Sequence, residues 1–211
     1  VSQAKLVWAT PDGDKLLGYI ARVSNPKAGK DTPFKGLLKY LIRKKHWSPF
    51  SMVNVCVEVE CARDVSRQIT RHKSMDFQEF SGRYAAYLEL LGPRDARLQD
   101  ETNRQNSLFV DLDSELNVWW LRAQRMIIRI TEKVYNEALK RGIAKEVART
   151  ILPEGLVPTR MFINGTLRSW IHYFELRCDP ATQKEHRELA EKIREIVLAE
   201  FPTIKEVLDV K

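Results

Sequence analysis

Basic charge is densest where the chain could meet phosphate. Between Arg63 and Arg83 stand Arg63, Arg67, Arg71, Lys73 and Arg83, with His72 among them, against Asp64, Asp76 and Glu79. The run RQITRHKSMDFQEFSGRYA sets Arg71, His72 and Lys73 at the end of a helical pattern. It then returns Gln78, Glu79, Ser81 and Arg83 after a polar turn. Arginine offers a planar fork suited to phosphate oxygens, and lysine a point charge. Ser81 and the backbone N–H of Gly82, where no Cβ intrudes, add neutral donors. Glu79 can accept from a sugar hydroxyl or a ring N–H. The set fits a nucleotide pocket; the competing reading is a solvated, charged helix face.

A second group lies downstream. Arg149 precedes Ile-Leu-Pro, and Arg168, His172 and Arg177 share the helix that follows. At 3.6 residues per turn, Arg168, His172 and Glu175 fall on one face and Arg177 nearly opposite. Arg168 and Arg177 are also about 13 Å apart along the axis. One small ligand does not reach both, so an extended ligand, a bent helix or a second chain is implied. Other chemistry is excluded by absence of its motifs: no Gly-rich phosphate loop, G-x-S-x-G elbow, H-E-x-x-H or C-x-x-C pair occurs. The four histidines (His46, His72, His172, His186) are scattered, and no metal site is expected. Ser81 has no His or carboxylate at an evident spacing to activate it, so it is read as a binding group rather than a nucleophile.

The elements that must position these residues follow from pattern. Residues 5–10 read as a strand closed by Pro11-Asp12-Gly13-Asp14, residues 15–23 as a helix, 24–33 as a loop and 34–45 as a helix broken at Pro49. Residues 52–60 (MVNVCVEVE) alternate with period two, the clearest strand, with Val53, Val55, Val57 and Val59 inward. A helix over 63–71 makes Arg67 and Arg71 neighbours. Residues 81–91 read as extended, and 94–113 as a long polar loop or insertion. Residues 115–141 form a long helix whose stripe of Leu116, Trp119, Ala123, Ile127, Ile130, Val134 and Ala138 is read as core. Shorter helices are expected over 144–151, 165–178 and 181–201. The fold class is α+β.

Length and composition agree with a single domain spanning 1–211. The 211 residues are 44% apolar and 30% charged, with nine Gly and nine Pro, enough for one well-buried core. No run approaches the roughly 18 to 20 apolar residues of a membrane span. The first twenty residues lack the apolar centre of a secretory signal. Three cysteines (Cys56, Cys61, Cys178) are too few for a disulfide scaffold, which points to a reducing, cytoplasmic setting. The net charge of +7 and pI near 9.3 would attract nucleic acid, an anionic membrane or phosphorylated small molecules. A nucleic-acid-binding module would interleave basic and aromatic residues on an exposed surface. Trp119, Trp120 and Trp170 instead fall in apolar-rich helices, where burial is the simpler reading.

With these residues in view, the chain resembles the flavin-dependent thymidylate synthases. Arg71-His72-Lys73, seven residues and then Ser81 is similar to the R-H-R-x7-S signature of that family. E-F-S-G-R-Y, A-R-T-I-L-P and T-L-R-S-W-I-H-Y-F-E-L-R continue the likeness, as do A-R-V-S and H-W-S-P-F nearer the start. The resemblance implies a homotetramer of subunits with a small, mostly antiparallel sheet and several long helices, with active sites shared between subunits. It implies FAD as cofactor, with NADPH and methylenetetrahydrofolate as co-substrates, in the conversion of dUMP to dTMP. By position, Gln68, Arg71, Glu79, Ser81, Gly82, Arg83, Arg149 and Arg177 match the dUMP site. Ser24, Ser48, Arg71, His72, Lys73, Glu79, Thr166, Arg168 and His172 match positions that meet flavin.

Arg177 holds the position that would stabilise negative charge on the pyrimidine, and is the expected catalytic residue. Neither nucleic acid nor membrane is an expected partner. The alternatives are a basic nucleic-acid-binding module, or a flavoprotein NADPH oxidase with another substrate. Lys73 departs from the signature's second Arg, keeping charge but losing the fork. Ser48, Ser51 and His172 stand where Thr, an acid and Asn are common.

Overall fold

The computed structural model describes residues 2–25, 27, 29, 31–87 and 89–209. In chain order the elements are β1 (Gln3–Ala9), α1 (Gly13–Ile20), α2 (Lys35–Arg43), β2 (Asn54–Ala62), α3 (Arg63–Ile69), β3 (Met75–Glu79), β4 (Arg97–Gln99), β5 (Ser107–Phe109), α4 (Glu115–Lys140), α5 (Lys145–Ala148), β6 (Pro158–Thr166), α6 (Leu167–Arg177), α7 (Lys184–Ala199) and α8 (Pro202–Asp209). Short 3₁₀ turns cover Ser48–Ser51, Arg149–Ile151 and Glu154–Leu156. The main sheet has the order β1-β2-β6-β3, every neighbour antiparallel. The architecture is α+β.

Alternation in β2 does what its valines require. Val55, Val57 and Val59 are buried against Met161 and Ile163 of β6 and a helical layer holding Trp170, Tyr173, Leu189, Ile193 and Val197. Each such side chain contributes about 1.5–3 kcal/mol relative to exposure. Central position in the sheet also buries the other face of β2. Glu58 sits there, paired with Lys5 at 3.0 Å and with Arg160. Trp170 fixes β2 to α6 by donating its ring N–H to the Val55 carbonyl at 3.1 Å. Asp14 in α1 accepts the Thr203 N–H at 2.7 Å, so the first helix caps the last.

Several expectations need correction. β3 and β6 are strands where the sequence suggested a turn and no element. The described residues of 81–91 contain a turn at 82–84 and no strand, and 94–113 contain the β4–β5 hairpin. The final helix breaks at Phe201, giving α8. α1 begins two residues earlier than expected, entered through Asp12 at φ 51°.

The larger correction concerns α4. Its expected inner stripe faces out: Trp119 is 61% exposed, Ile130 57% and Val134 49%. The positions it buries are Asn117, Gln124, Thr131 and Tyr135. Gln124 and Asn117 spend their amides on the backbone of Arg94, Ala96 and Leu112, so polar residues hold the loop while apolar ones remain available to another surface. Trp170 is buried as expected; Trp119 and Trp120 are not. Among the described residues no helix is long and apolar enough to cross a membrane.

Candidate active site

The end of α3, the end of α6 and the start of α7 converge on one cluster. Arg177 donates through Nε to Nε2 of His72 at 2.8 Å. That bond uses one of five guanidinium protons and leaves the two Nη groups uncommitted by it. His72 is wedged edge-on against Tyr173, ring centroids 4.9 Å apart. Burial, and then the neighbouring Arg177 charge, push its imidazole down to about 4, so it stays neutral. Burial likewise draws Arg177 below its usual range, with the nearby Arg71 charge acting the same way against Tyr173. Two like charges are thus held close without an anion between them.

That shortage of anions extends over the site. Among the described residues, Arg71, Lys73, Arg149, Arg168 and Arg177 have no carboxylate within ion-pair distance, whereas Arg94 and Arg97 are paired with Asp64 and Glu185. Cations without carboxylate partners are available to phosphate oxygens.

A second cluster forms at the other end of β3. Glu79 receives the Ser66 hydroxyl at 2.7 Å and the Thr159 hydroxyl at 2.9 Å on one oxygen, Oε1. Beyond it the chain turns through Ser81, whose backbone carbonyl accepts from the N–H groups of Tyr84 and Ala85. Gly82 is required here, because a Cβ would lie 2.6 Å from the ring of Tyr87. Tyr87 cannot easily retreat, since its hydroxyl accepts from Arg63 at 2.8 Å. The Ser81 hydroxyl oxygen accepts only the Arg83 N–H, at 3.4 Å, and among the described residues no base is bonded to it, in keeping with a binding role. Arg83 makes an exposed ion pair with Glu146 of α5 at 3.5 Å. Exposed pairs of this kind contribute about 0–1 kcal/mol, so a phosphate dianion can take the arginine over. Arg149 follows α5 at once, on the same side.

The expected flavin positions divide similarly. His172 packs edge-on against Trp47, ring centroids 5.1 Å apart, and Ser48 is the next residue after that Trp. Arg168 lies one turn before His172 on α6 and is exposed. Thr166 caps α6, accepting the Ser169 N–H at 3.2 Å, so its hydroxyl is partly committed. Ser24 is exposed in the turn after α1 and touches neither cluster in any observed bond.

The five residues of β3 separate Arg71, His72 and Lys73 from Ser81, Gly82 and Arg83 by about 17 Å of extended chain. Within one protomer the eight expected dUMP positions therefore fall into two groups, one towards each end of β3. Two clefts, of about 680 and 710 Å³, are lined by none of the expected ligand residues. A site divided between two chains stays open in one of them, whereas an enclosed cleft need not hold chemistry.

Residues 5–203 match the family described as thymidylate synthase complementing protein. The chain belongs to that family. It is 45% identical over 197 residues to a probable flavin-dependent thymidylate synthase of Paramecium bursaria Chlorella virus 1, spanning 93% of this chain and 90% of the relative. It is 46% identical over 200 residues to the flavin-dependent thymidylate synthase of Synechocystis sp., spanning 95% and 90%. Among solved structures, its fold is similar to a UMP/dUMP methylase, PolB of Streptomyces cacaoi bound with 5-Br UMP. There the TM-score is 0.86 at 24% identity, covering 98% of this chain and 93% of that one.

Sequence reasoning missed the residues behind this family's binding motif: Tyr173, Gln183 and His186. His186 is fully buried, and burial, followed by the Arg177 and His72 charges, pushes it down to about 3. The signal was available, since Leu189, Ala190 and Ile193 at i+3, i+4 and i+7 place it on the inner stripe of α7.

Both depressed imidazoles have a consequence for acid stability. The unfolded chain takes up protons at the ordinary 6.5, while the folded one resists to about 4 at His72 and about 3 at His186. Stability is present above 6.5 and falls as pH falls below it, by about 2 kcal/mol per imidazole at about pH 5. Urea unfolding at several pH values should show that loss, and His72→Gln should remove about half of it. Stability unchanged between about pH 7 and 5 would contradict the buried, neutral state.

Proposed function

We propose that the chain, 1–211, acts as one catalytic domain of a flavin-dependent thymidylate synthase. It converts dUMP to dTMP, taking a one-carbon unit from methylenetetrahydrofolate, with FAD as cofactor and NADPH as the source of reducing equivalents. The observation that carries this reading is the pairing of Arg71 with Arg177 beside neutral His72, cations with no anion of their own. A doubly charged phosphate ester attached to a base that must accumulate charge is the ligand such a site lacks. PolB, similar in fold, is a UMP/dUMP methylase.

Within this reading, Arg71, Arg83 and Arg149 hold the phosphate of dUMP. Ser81, the Gly82 N–H, Gln68 and the uncommitted oxygen of Glu79 orient sugar and base. Arg177 faces the pyrimidine. C5 of uracil becomes nucleophilic only if electron density moves into the ring, and a guanidinium in a water-poor site stabilises that density.

The donor set also fits a flavin dinucleotide. Arg71, Lys73 and Arg168 suit its phosphates, and His72 and His172, each set edge-on by an aromatic neighbour, suit its ring system. Ser24, Ser48, Glu79 and Thr166 complete the set. When bound, the flavin supplies the hydride; the chain's own residues bind, orient and exclude water. Division of both sites across β3 and the exposed apolar face of α4 support a homotetramer with shared active sites. Its setting is cytoplasmic, with neither nucleic acid nor membrane as partner. Basic Arg122, Arg125 and Arg129 do line α4 beside Met126 and Ile130, but apolar residues dominate that face.

Tritium release from 5-labelled dUMP, with FAD, NADPH and methylenetetrahydrofolate present, tests the function. Absence of release would refute it. Lys73→Arg tests the flavin assignment: restoring the fork should hold FAD as tightly or more so. FAD titration of apoprotein would show this by flavin fluorescence. A loss of about tenfold or more in affinity would mean that Lys73 has a geometry Arg does not share.

A further inference from the structure

Behind the dUMP-facing surface runs a line of hydrogen bonds with one consistent direction, buried at Tyr173 and His186 and partly buried beyond them. His186 Nδ1 lies 3.2 Å from Oε1 of Gln68, and its Nε2 lies 3.0 Å from the Tyr173 hydroxyl. A neutral imidazole carries one proton. The carboxamide oxygen of Gln68 can only accept, so that proton sits on Nδ1 and Nε2 accepts from Tyr173. Gln68 in turn donates through Nε2 to Gln183 Oε1 at 2.6 Å, and Gln183 donates to Glu185 at 2.9 Å. Glu185 is held by the fork of Arg97, at 2.6 and 3.0 Å, from the β4–β5 hairpin. Every donor points the same way, from Tyr173 to the carboxylate.

We propose that His186 is a positioning residue for substrate recognition: through Nδ1–H it fixes which end of the Gln68 carboxamide faces the base of dUMP. The inference rests on the functional reading above. A glutamine side chain is nearly symmetric in shape but not in chemistry, and a flipped amide presents a donor where the base needs an acceptor. With His186 on its oxygen and Gln183 on its nitrogen, Gln68 has one N–H and one lone pair left to offer. The polar hairpin thereby gains a role, as the anchor that ends the line at Arg97.

The test measures dUMP affinity of the holoenzyme by calorimetry alongside KM and kcat. His186→Leu keeps the volume and removes both bonds. It should weaken dUMP binding and raise KM by about tenfold, with kcat at saturation little changed. His186→Asn, whose amide N–H stands near the place of Nδ1–H, should recover most of the loss. On a Gln68→Ala background, His186→Leu should add less than about twofold, because a positioning residue acts through its partner. Independent losses in the double variant, or unchanged affinity in His186→Leu, would overturn the inference. Should the leucine variant fail to fold, Tyr173→Phe decides. Removal of the phenol takes away one of the two bonds that favour the Nδ1–H tautomer, and dUMP binding should fall by about threefold or more; no change overturns the inference. Wild-type protein that binds no dUMP would instead refute the functional reading itself.

Discussion

Arg177→Ala is expected to lower turnover at saturating dUMP by about a hundredfold or more, while Arg83→Ala chiefly raises the KM for dUMP. The difference lies in when each charge is needed. Phosphate is fully charged before, during and after reaction, so an arginine that holds it contributes equally to ground and transition states. Density on the pyrimidine grows only as C5 attacks. Arg177 is preorganised for that moment: Nε is tied to His72 and the guanidinium sits half-buried, where solvent screens it least. NADPH oxidation by the flavin, measured without folate, should largely survive in Arg177→Ala, because it needs no activated uracil. Tritium release and NADPH oxidation on one preparation separate the two steps. Normal turnover of Arg177→Ala at saturating dUMP would reduce Arg177 to one more anchor.

Ile130→Asp is expected to dissociate the assembly and abolish turnover without unfolding the protomer. Ile130 is 57% exposed on α4 and Met126 59%, so a carboxylate there disturbs nothing inside one chain. Buried in an apolar contact with another copy, the same carboxylate costs several kcal/mol, which is at least two powers of ten in association. Light scattering of the wild type should give about four times the 24.5 kDa of one chain, and of the variant a smaller particle. Tritium release should fall together with the mass. An Ile130→Asp tetramer of full activity would place the shared surface elsewhere.

Sequence and structure part company where pattern alone leaves direction undetermined. β2 was legible because Val55, Val57 and Val59 alternate without interruption. α4 was legible as a helix, but its apolar stripe carried no label saying which surface it meets; only Asn117 and Gln124, which tether the loop at 94–96, show that its polar side faces in. β3, as Met75-Asp76-Phe77-Gln78-Glu79, alternates over five residues and was hidden by the polar setting around it. β6 alternates too, with Thr159, Met161, Ile163 and Gly165 inward. Pro158 and Gly165 at its ends read as turn and helix signals. In the site, Arg71, His72 and Arg177 were nameable from spacing, and His72 and Arg177 do meet. Of the partners behind them, His186 lay on the apolar stripe of α7 and could have been placed inward, whereas Gln183, which precedes that helix, carried no such signal.

The two edges of the main sheet bear on how copies of this chain can meet. β1 changes register between Leu6 and Trp8, a bulge that bends the strand and spoils its outer row of hydrogen-bonding groups as a template. The opposite edge, β3, is only five residues long, too short to recruit a partner strand on its own. Growth by strand addition is therefore blocked at both ends, and helix surfaces are left to mediate contact. Helical contacts give particles of finite size where the interface is two-fold or its rotation closes. With a net charge of +7 repelling copies of the chain from one another, both edges disfavour fibrous aggregation during synthesis and at high concentration.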